Sequence, residues 1–487
     1  MLTILIRHKE TNPIIIKNKT MKKLLLIPLA TLLFLSCKKE SSSFENQLAS
    51  KKDNEKDDDE KSGNGNNNRG YIYTSTNSTA GNAIIALARK GDGSVVEIGK
   101  SPYSTGGKGD AAEGDFDTQW ALRIVGGYLL AVNAGANPVN GSISVFKINK
   151  ANGHLSQIDQ NPATPAMDNM DSRGVRAASI AAKTLGSKTW IAVGNQFANP
   201  NYQGEAGTAF GMVVSTSLRN LAVFTFDQSS GVLKFERIGA TYTDGNHGGP
   251  TTVEFNSTGT KIAISTWGVP HFMVMDPDLS KQRPGRLYIY NFSSGNLTQT
   301  GMYEKTGVSG NIGISWSPND QYIYMSNFNL HSSVENHSLT VHNGATAAQV
   351  QNFATAGRND EGCWTWVSLD KSKLYVASFG QNVISVFRIL GSNLVAKTLE
   401  PNFFQKRGNL PMGDAKDLHE SPDGYLYNTG AFQSHTVSTF KTSAIGVLTE
   451  VANSPYYVPT SIGKSKEEHA YLGLTGFDKN NLNNDQR

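Results

Sequence analysis

CWTWVSLDKSKLYVASFGQNVISVFRI, residues 363–389, contains a hairpin, VSLDKSKLYVAS (367–378), and then a further strand, VISVFRI (383–389). In both, apolar residues alternate with polar ones, the period-2 pattern of half-buried strands. The hairpin recurs as FNSTGTKIAIS (255–265), WSPNDQYIYMS (316–326) and ESPDGYLYNT (420–429). Its Ser-Pro-Asp-Gly form makes a tight turn because Pro presets φ, Asp caps the turn and Gly accepts positive φ. The following strand recurs as SISVFKI (142–148), LAVFTF (221–226), RLYIYNF (286–292) and TVSTFKT (436–442), with weaker copies AIIALAR (83–89) and SLTVHNG (338–344). A turn and an outer strand usually come next (GSVVEI, GHLSQI, GVLKFERI, GNLTQT, SNLVAK, GVLTEV), and the fifth copy lacks that signal.

Four strands per unit, repeated every 45–78 residues, is the pattern of propeller blades. The equivalent strand-end positions are Leu87, Phe146, Phe224, Tyr290, His342, Phe387 and Phe440, which makes seven units. GYIYTST (70–76) enters on a second strand, so the missing innermost strand of that blade must come from the C-terminal end, after EVANSPYY. EIGKSPY (97–103) and EVANSPY (450–456) are near copies, which favours one circular array over two domains. The expected fold is all-β: a single seven-bladed β-propeller of four-stranded antiparallel blades over residues 70–475, closed by pairing of N- and C-terminal segments, with a disordered tail at 476–487.

The 487 residues are 38% hydrophobic and 18% charged, with 48 Gly and 17 Tyr, a composition remote from coiled coil or collagen. The net charge of +4 is misleading: residues 1–36 hold six Lys/Arg against Glu10, which leaves the remaining chain at −1. A near-neutral body has no pull toward phosphate backbones, so nucleic acid is not an expected partner. Two cysteines, Cys37 and Cys363, exclude a disulfide framework, a four-cysteine zinc site and a haem-attachment motif. Cys363 reads as a small buried hydrophobe.

MKKLLLIPLATLLFLSC (21–37) places two lysines before an apolar run too short to span a bilayer and right for a signal peptide. Its end, Phe34-Leu35-Ser36-Cys37, resembles a bacterial lipobox. This implies removal of residues 1–36, translation from Met21, and a lipid on Cys37. Residues 37–69, with one aromatic, a charge run at Asp53–Glu60 and a Gly/Asn tail, read as a disordered tether. Lys38 after the cysteine implies the outer membrane. The expected protein is a monomeric lipoprotein of the cell envelope whose only membrane contact is its lipid.

NSTAGNAIIALARKGDGSVVEIGKSPYSTGGKG (77–109), LLAVNAGANPVNGSISVFKIN (129–149) and residues 363–389 together resemble the seven-bladed lactonase family, the propeller-type 6-phosphogluconolactonases and carboxymuconate-lactonizing enzymes. The likeness covers roughly 70–470 and is greatest to an extracytoplasmic branch. It implies lactonase-like hydrolysis of a small lactone or sugar lactone by His, Glu and Arg at the channel mouth. Where that family carries Glu-x-His before its Ser-Pro-Asp-Gly turn, this chain has Gly313-Ile314-Ser315-Trp316. The alternative is a non-catalytic surface propeller that binds a small ligand or a protein.

Opening a lactone needs an acid–base pair near the ester and a cation over the developing oxyanion. Residues just before inner strands should ring the mouth. Candidates there are Arg173 and Arg176, His247, Arg358 with Asp360 and Glu361, and Asp414 with Lys416 and His419. The expected catalytic set is Arg176 orienting a carboxylate, His247 as base, Glu361 as acid, and Asp414. Trp267, Trp364 and Lys416 are the expected ligand contacts. The acidic groups Asp110, Glu113, Asp115, Asp117 and Asp168, Asp171 lack the EF-hand pattern and read as solvated loops. No metal or cofactor is expected, and neither Gly-rich string, STGGKGD or GVSGNIG, is a nucleotide loop.

Overall fold

The computed structural model describes residues 68–110, 118–135, 139–197, 219–243, 247–269, 276, 278–328, 330–355, 361–398, 403–405 and 414–479. The leader, Cys37 and the tether up to residue 67 lie outside them, as do Glu113, Asp115, Asp117, Arg358 and Asp360. Arg69, at the end of the expected tether, joins blade one, its N–H donating to Arg89 O at 2.8 Å. Seven antiparallel sheets form, each a path of four neighbouring strands, and together they make a seven-bladed propeller. The seven strand-end residues occupy equivalent sites. Each faces an aliphatic residue of the second strand: Leu87 Ile72, Phe146 Leu129, Phe224 Ile191, Tyr290 Ile262, His342 Ile323, Phe387 Leu374 and Phe440 Leu426. All are buried, and the clusters they join span adjacent blades, as in the core that blades two and three share around Phe224.

Four blades carry a fifth short strand beside the third. These have outer strands of only three or four residues: Val95–Glu97, Leu155–Ile158, Val395–Lys397 and Leu448–Glu450. The added strand covers the third-strand edge that a short outer strand leaves bare. The near copies share this arrangement: Ala86 N donates to Ser101 Oγ at 3.0 Å, and Thr439 N donates to Ser454 Oγ at 2.8 Å. The fifth blade does have an outer strand, Gln349–Phe353, which is polar and therefore silent in the pattern. Its turn is held by Asn343 Oδ1, which accepts from Ala345 N and Thr346 N.

Closure follows the expected route. Gly70–Ser75 pairs on one side with Ala83–Arg89 and on the other with Leu472–Asp478, the innermost strand of blade one. The C-terminal boundary moves: Gly476, Phe477 and Asp478 belong to this strand rather than to a tail after 475. Phe477 is buried against Tyr71 and Tyr73, which a strand ending at 475 would leave uncovered. Arg89, fully buried, clasps the seam through ion pairs to Asp478 of the closing strand and to Asp423 of the blade-seven turn, the latter at 2.7 Å.

The axis of the propeller is filled by the chain. Thr118–Trp120, leading into the inner strand of blade two (Leu122–Val125), crosses between the inner strands of four other blades. Thr118 Oγ1 donates to Ala178 O and Thr251 O. Gln119 N donates to Thr252 Oγ1, while its Nε2 donates to Thr365 O at 3.0 Å and to Ile314 O at 3.4 Å. Its Oε1 accepts from Thr365 N at 3.1 Å, so the amide imitates a backbone partner. Trp120 is held at φ +68°, a left-handed conformation sustained only by such surrounding contacts.

Candidate functional site at the channel mouth

Inner strands begin on one face, and there hydrogen bonds recur within blades and, in places, between neighbouring blades. Arg176 O accepts from Gln196 N, Gly249 O from Trp267 N, and Trp267 O from Gly310 N. Ser309 bridges Phe328, which bridges Glu361; Glu361 O accepts from Phe379 N. Asp414 O accepts from Ala431 N, Ala431 O from Tyr471 N, and Thr76 O from Ala470 N. Arg176, Glu361 and Asp414 thus occupy corresponding positions around one ring, as the sequence predicts, and His247 sits beside it, accepting at its carbonyl from Gly268 N. Glycine is required at 249: a Cβ there would lie 2.3 Å from Gln196 O.

Arg176, His247 and Asp414 of the expected set each take a local partner. Arg176, at φ +60° and buried, pairs its Nε with Asp110 Oδ2 at 2.6 Å. Asp110 is therefore no solvated loop residue: it is buried, and its N–H donates to Asn77 Oδ1 at 2.9 Å. His247 Nδ1 donates to Pro284 O at 2.8 Å, the tautomer that leaves the lone pair on Nε2. Glu304 Oε2 lies 3.7 Å from that Nδ1 and takes Arg286 Nε at 2.6 Å. Glu361 is half-buried, with its backbone bridged to Phe328.

Asp414 is fully buried and caps a loop, accepting from the N–H groups of Phe432, Gln433 and Ser434 and from Ser434 Oγ. A carboxylate so engaged holds a turn rather than moving protons. Trp267 and Trp364 are likewise core residues, each 1% exposed. Trp267 packs edge-on against Phe328, and Trp364 Nε1 donates to Thr118 O at 2.8 Å, fastening the axial segment. Lys416 is buried beneath an aromatic roof, its Nζ 5.6–5.9 Å from the rings of Phe379, Trp364 and Phe432. Cys363 is buried, as expected. Asp168 and Asp171 hydrogen-bond within their own surroundings, to Thr164 Oγ1 and to Asn140 Nδ2.

Sequence reasoning missed the polar residues that end the second strands on this face. Gln196 is buried next to Arg176, and neither its Oε1 nor its Nε2 has a hydrogen-bond partner among the described residues. The same holds for Asn77 Nδ2, Trp267 Nε1 and both amide atoms of Asn311. Buried polar atoms are nearly always satisfied, so such orphans mark where water or a ligand belongs. Asn77, Gln196 and Trp267 each lie five residues beyond the aliphatic partner of a strand-end residue, a spacing that repeat alignment exposes.

Solved structures share this fold. The Pseudomonas aeruginosa periplasmic gluconolactonase superposes with a TM-score of 0.57 at 13% identity, over 84% of this chain and 98% of its own. A "putative 6-phosphogluconolactonase" from Bacteroides fragilis gives 0.56 at 14% identity, over 86% and 100%. Its namesake from Bacteroides uniformis gives 0.53 at 13%, over 85% and 100%. The chain shares the propeller fold of these proteins. Scanned against protein-family models and curated proteins, the sequence matches none.

Proposed function

We propose that the mouth binds a small lactone or sugar lactone and that the protein is a lactonase-like hydrolase, working from the cell envelope through a lipid on Cys37. The observation that carries this reading is the buried Arg176–Asp110 pair beside the orphaned amide of Gln196. A cyclic ester supplies both an acceptor for the Gln196 Nε2 and a carbonyl oxygen whose developing charge a guanidinium stabilises. His247, with its lone pair on Nε2, takes the proton from an attacking water as the carbonyl carbon gains its new oxygen. The ring C–O bond then breaks, and the alkoxide receives that proton. Asp110 holds the guanidinium in place and takes no proton.

The alternative, a binding propeller without turnover, is favoured by Gly313–Trp316 in place of Glu-x-His and by the capping role of Asp414. A lactone panel followed by pH-stat separates them. Hydrolysis is expected in the wild type, with a loss of about a hundredfold in His247→Gln at an unchanged melting temperature. Saturable lactone binding without acid release selects the binding reading.

A further inference from the structure

On the face opposite the mouth, turns 149–154 of blade two, 90–94 of blade one and 422–424 of blade seven are neighbours. Tyr71 Oη, in the second strand of blade one, donates to Ala151 O at 3.0 Å, and Tyr425 Oη, in that of blade seven, donates to Gly91 O at 3.5 Å. Cations from distant parts of the chain gather on and beside these turns. Arg69, Lys90, Lys147, Lys150 and Lys441 are exposed, and Lys479 is half-buried. Lys90 Nζ donates to Asn68 Oδ1 at 3.2 Å and Lys479 N to Arg69 O at 2.9 Å, so the described chain enters within this group. Among the described residues the acids of the three turns are Asp92 and Asp423. The buried Arg89 already holds Asp423, together with Asp478 at the end of the closing strand. The chain beyond residue 36 carries −1 in all, so these cations are a local excess and not the average of a basic protein.

We propose that this face lies on an anionic phospholipid surface, with the mouth turned away from the membrane. Each Lys or Arg brought near such a surface strengthens binding by roughly fivefold. The place where the chain enters supplies the partner. Residues 37–67, read as a tether, span about 30 Å as a flexible coil, so a lipid on Cys37 keeps this face close to the bilayer. The other polyanion within reach is the chain's own run Asp53–Glu60. It is interrupted by Lys56 and flanked by Lys51, Lys52 and Lys61, which leaves only −2 over 51–61. A bilayer offers a continuous plane of phosphates to a broad set of turns, and it is the stronger partner. The sequence pointed to the lipid as the sole membrane contact because these cations are scattered from residue 69 to residue 479, and only closure of the ring gathers them. Contact of this kind is reversible and screened by salt. It orients a lipidated protein and does not retain an unlipidated one at cellular ionic strength. The inference takes its membrane from the lipid anchor proposed above, and its test does not use that lipid.

The chain from Lys38, which holds every described residue and no lipid, is sedimented with phosphatidylcholine vesicles made with or without phosphatidylglycerol. At low ionic strength it should bind the phosphatidylglycerol vesicles alone, and high salt should release it. Lys147→Glu with Lys150→Glu should weaken this binding by about tenfold or more. Lys281→Glu with Lys305→Glu makes the same change of charge at exposed positions on the mouth face, and should leave binding largely intact. Orientation is read with a fluorophore at one of two exposed positions. At Ala151→Cys, among the cations, nitroxide-headgroup lipid should quench it; at Asn336→Cys, on the mouth face, it should not. No binding to phosphatidylglycerol vesicles overturns the proposal, as does equal binding to neutral ones, equal weakening by the two charge reversals, or quenching at Asn336→Cys. Binding that appears only after deletion of Asp53–Glu60 also overturns it, by assigning the face to that run. The anchor itself is tested by Cys37→Ala, so the two readings fail independently.

Discussion

Gln119 has the work of a strand without being in one. Its amide satisfies Thr365 N–H and C=O and reaches Ile314 O, all groups that would otherwise face a hollow axis. Gln119→Ala should therefore cost about 2 kcal/mol in urea unfolding by leaving buried backbone groups unpaired. Asp417 is the residue with the clearest pH signature. Burial raises its carboxyl to about 7, against the lowering effects of the Gly473 N–H at 2.9 Å and of Lys416. A carboxyl raised on folding binds its proton more tightly in the folded state, so its contribution is present at low pH and lost as pH rises from about 4 to about 7. Asp417→Asn should match the wild type in unfolding free energy near pH 4 and exceed it, by on the order of 2 kcal/mol, at pH 8, as read by urea denaturation at the two pH values. His342 has the opposite sign: burial lowers it to about 4, so its protonation destabilises the fold as pH falls from about 6.5 to about 4. His342→Phe, the residue that blades two, three, six and seven use there, should flatten the acid limb of the melting-temperature curve.

The closing strand is the element on which the whole array depends. It pairs with Gly70–Ser75 along one edge, buries Phe477, and receives Arg89 through Asp478. Ending the chain at Thr460 removes this strand, bares the edge of Gly70–Ser75 and should produce aggregation rather than a smaller soluble propeller, as read by size-exclusion chromatography. Arg89→Ala should cost about 3 kcal/mol, because two carboxylates of the seam, Asp423 and Asp478, lose their buried cation. A double variant with Asp478→Asn should recover part of that loss, which a purely steric role for Arg89 would not allow. The axial segment is the other element that ties distant strands together, with partners 60 to 246 residues away.

For the whole molecule, location and architecture are separable. Cys37→Ala should release the protein from membranes into the soluble fraction while leaving the melting curve of the propeller unchanged; membrane pelleting after a carbonate wash would refute the lipid anchor. A circular array of near-equivalent blades should unfold as one cooperative unit, because each core is shared between neighbours and no blade closes its own.

Blade number, strand order and closure were legible because each depends on a local pattern repeated seven times. An alternating strand ending in Phe, Tyr, Leu or His faces an aliphatic residue at a fixed offset, and turn chemistry fixes the register between them. The ring of inner-strand beginnings followed from the same periodicity, which is why Arg176, Glu361 and Asp414 fell at corresponding positions. The tertiary structure alone decided what those side chains do. Asp414 became a loop cap because the chain returns at Phe432–Ser434 with three N–H groups aimed at it. Asp110 joined Arg176, and Trp364 became a fastening for Thr118, through contacts between segments far apart in the chain. Thr118-Gln119-Trp120 carries no period of its own, and its partners are backbone groups of other blades. Its place on the axis exists only once those blades have assembled around it.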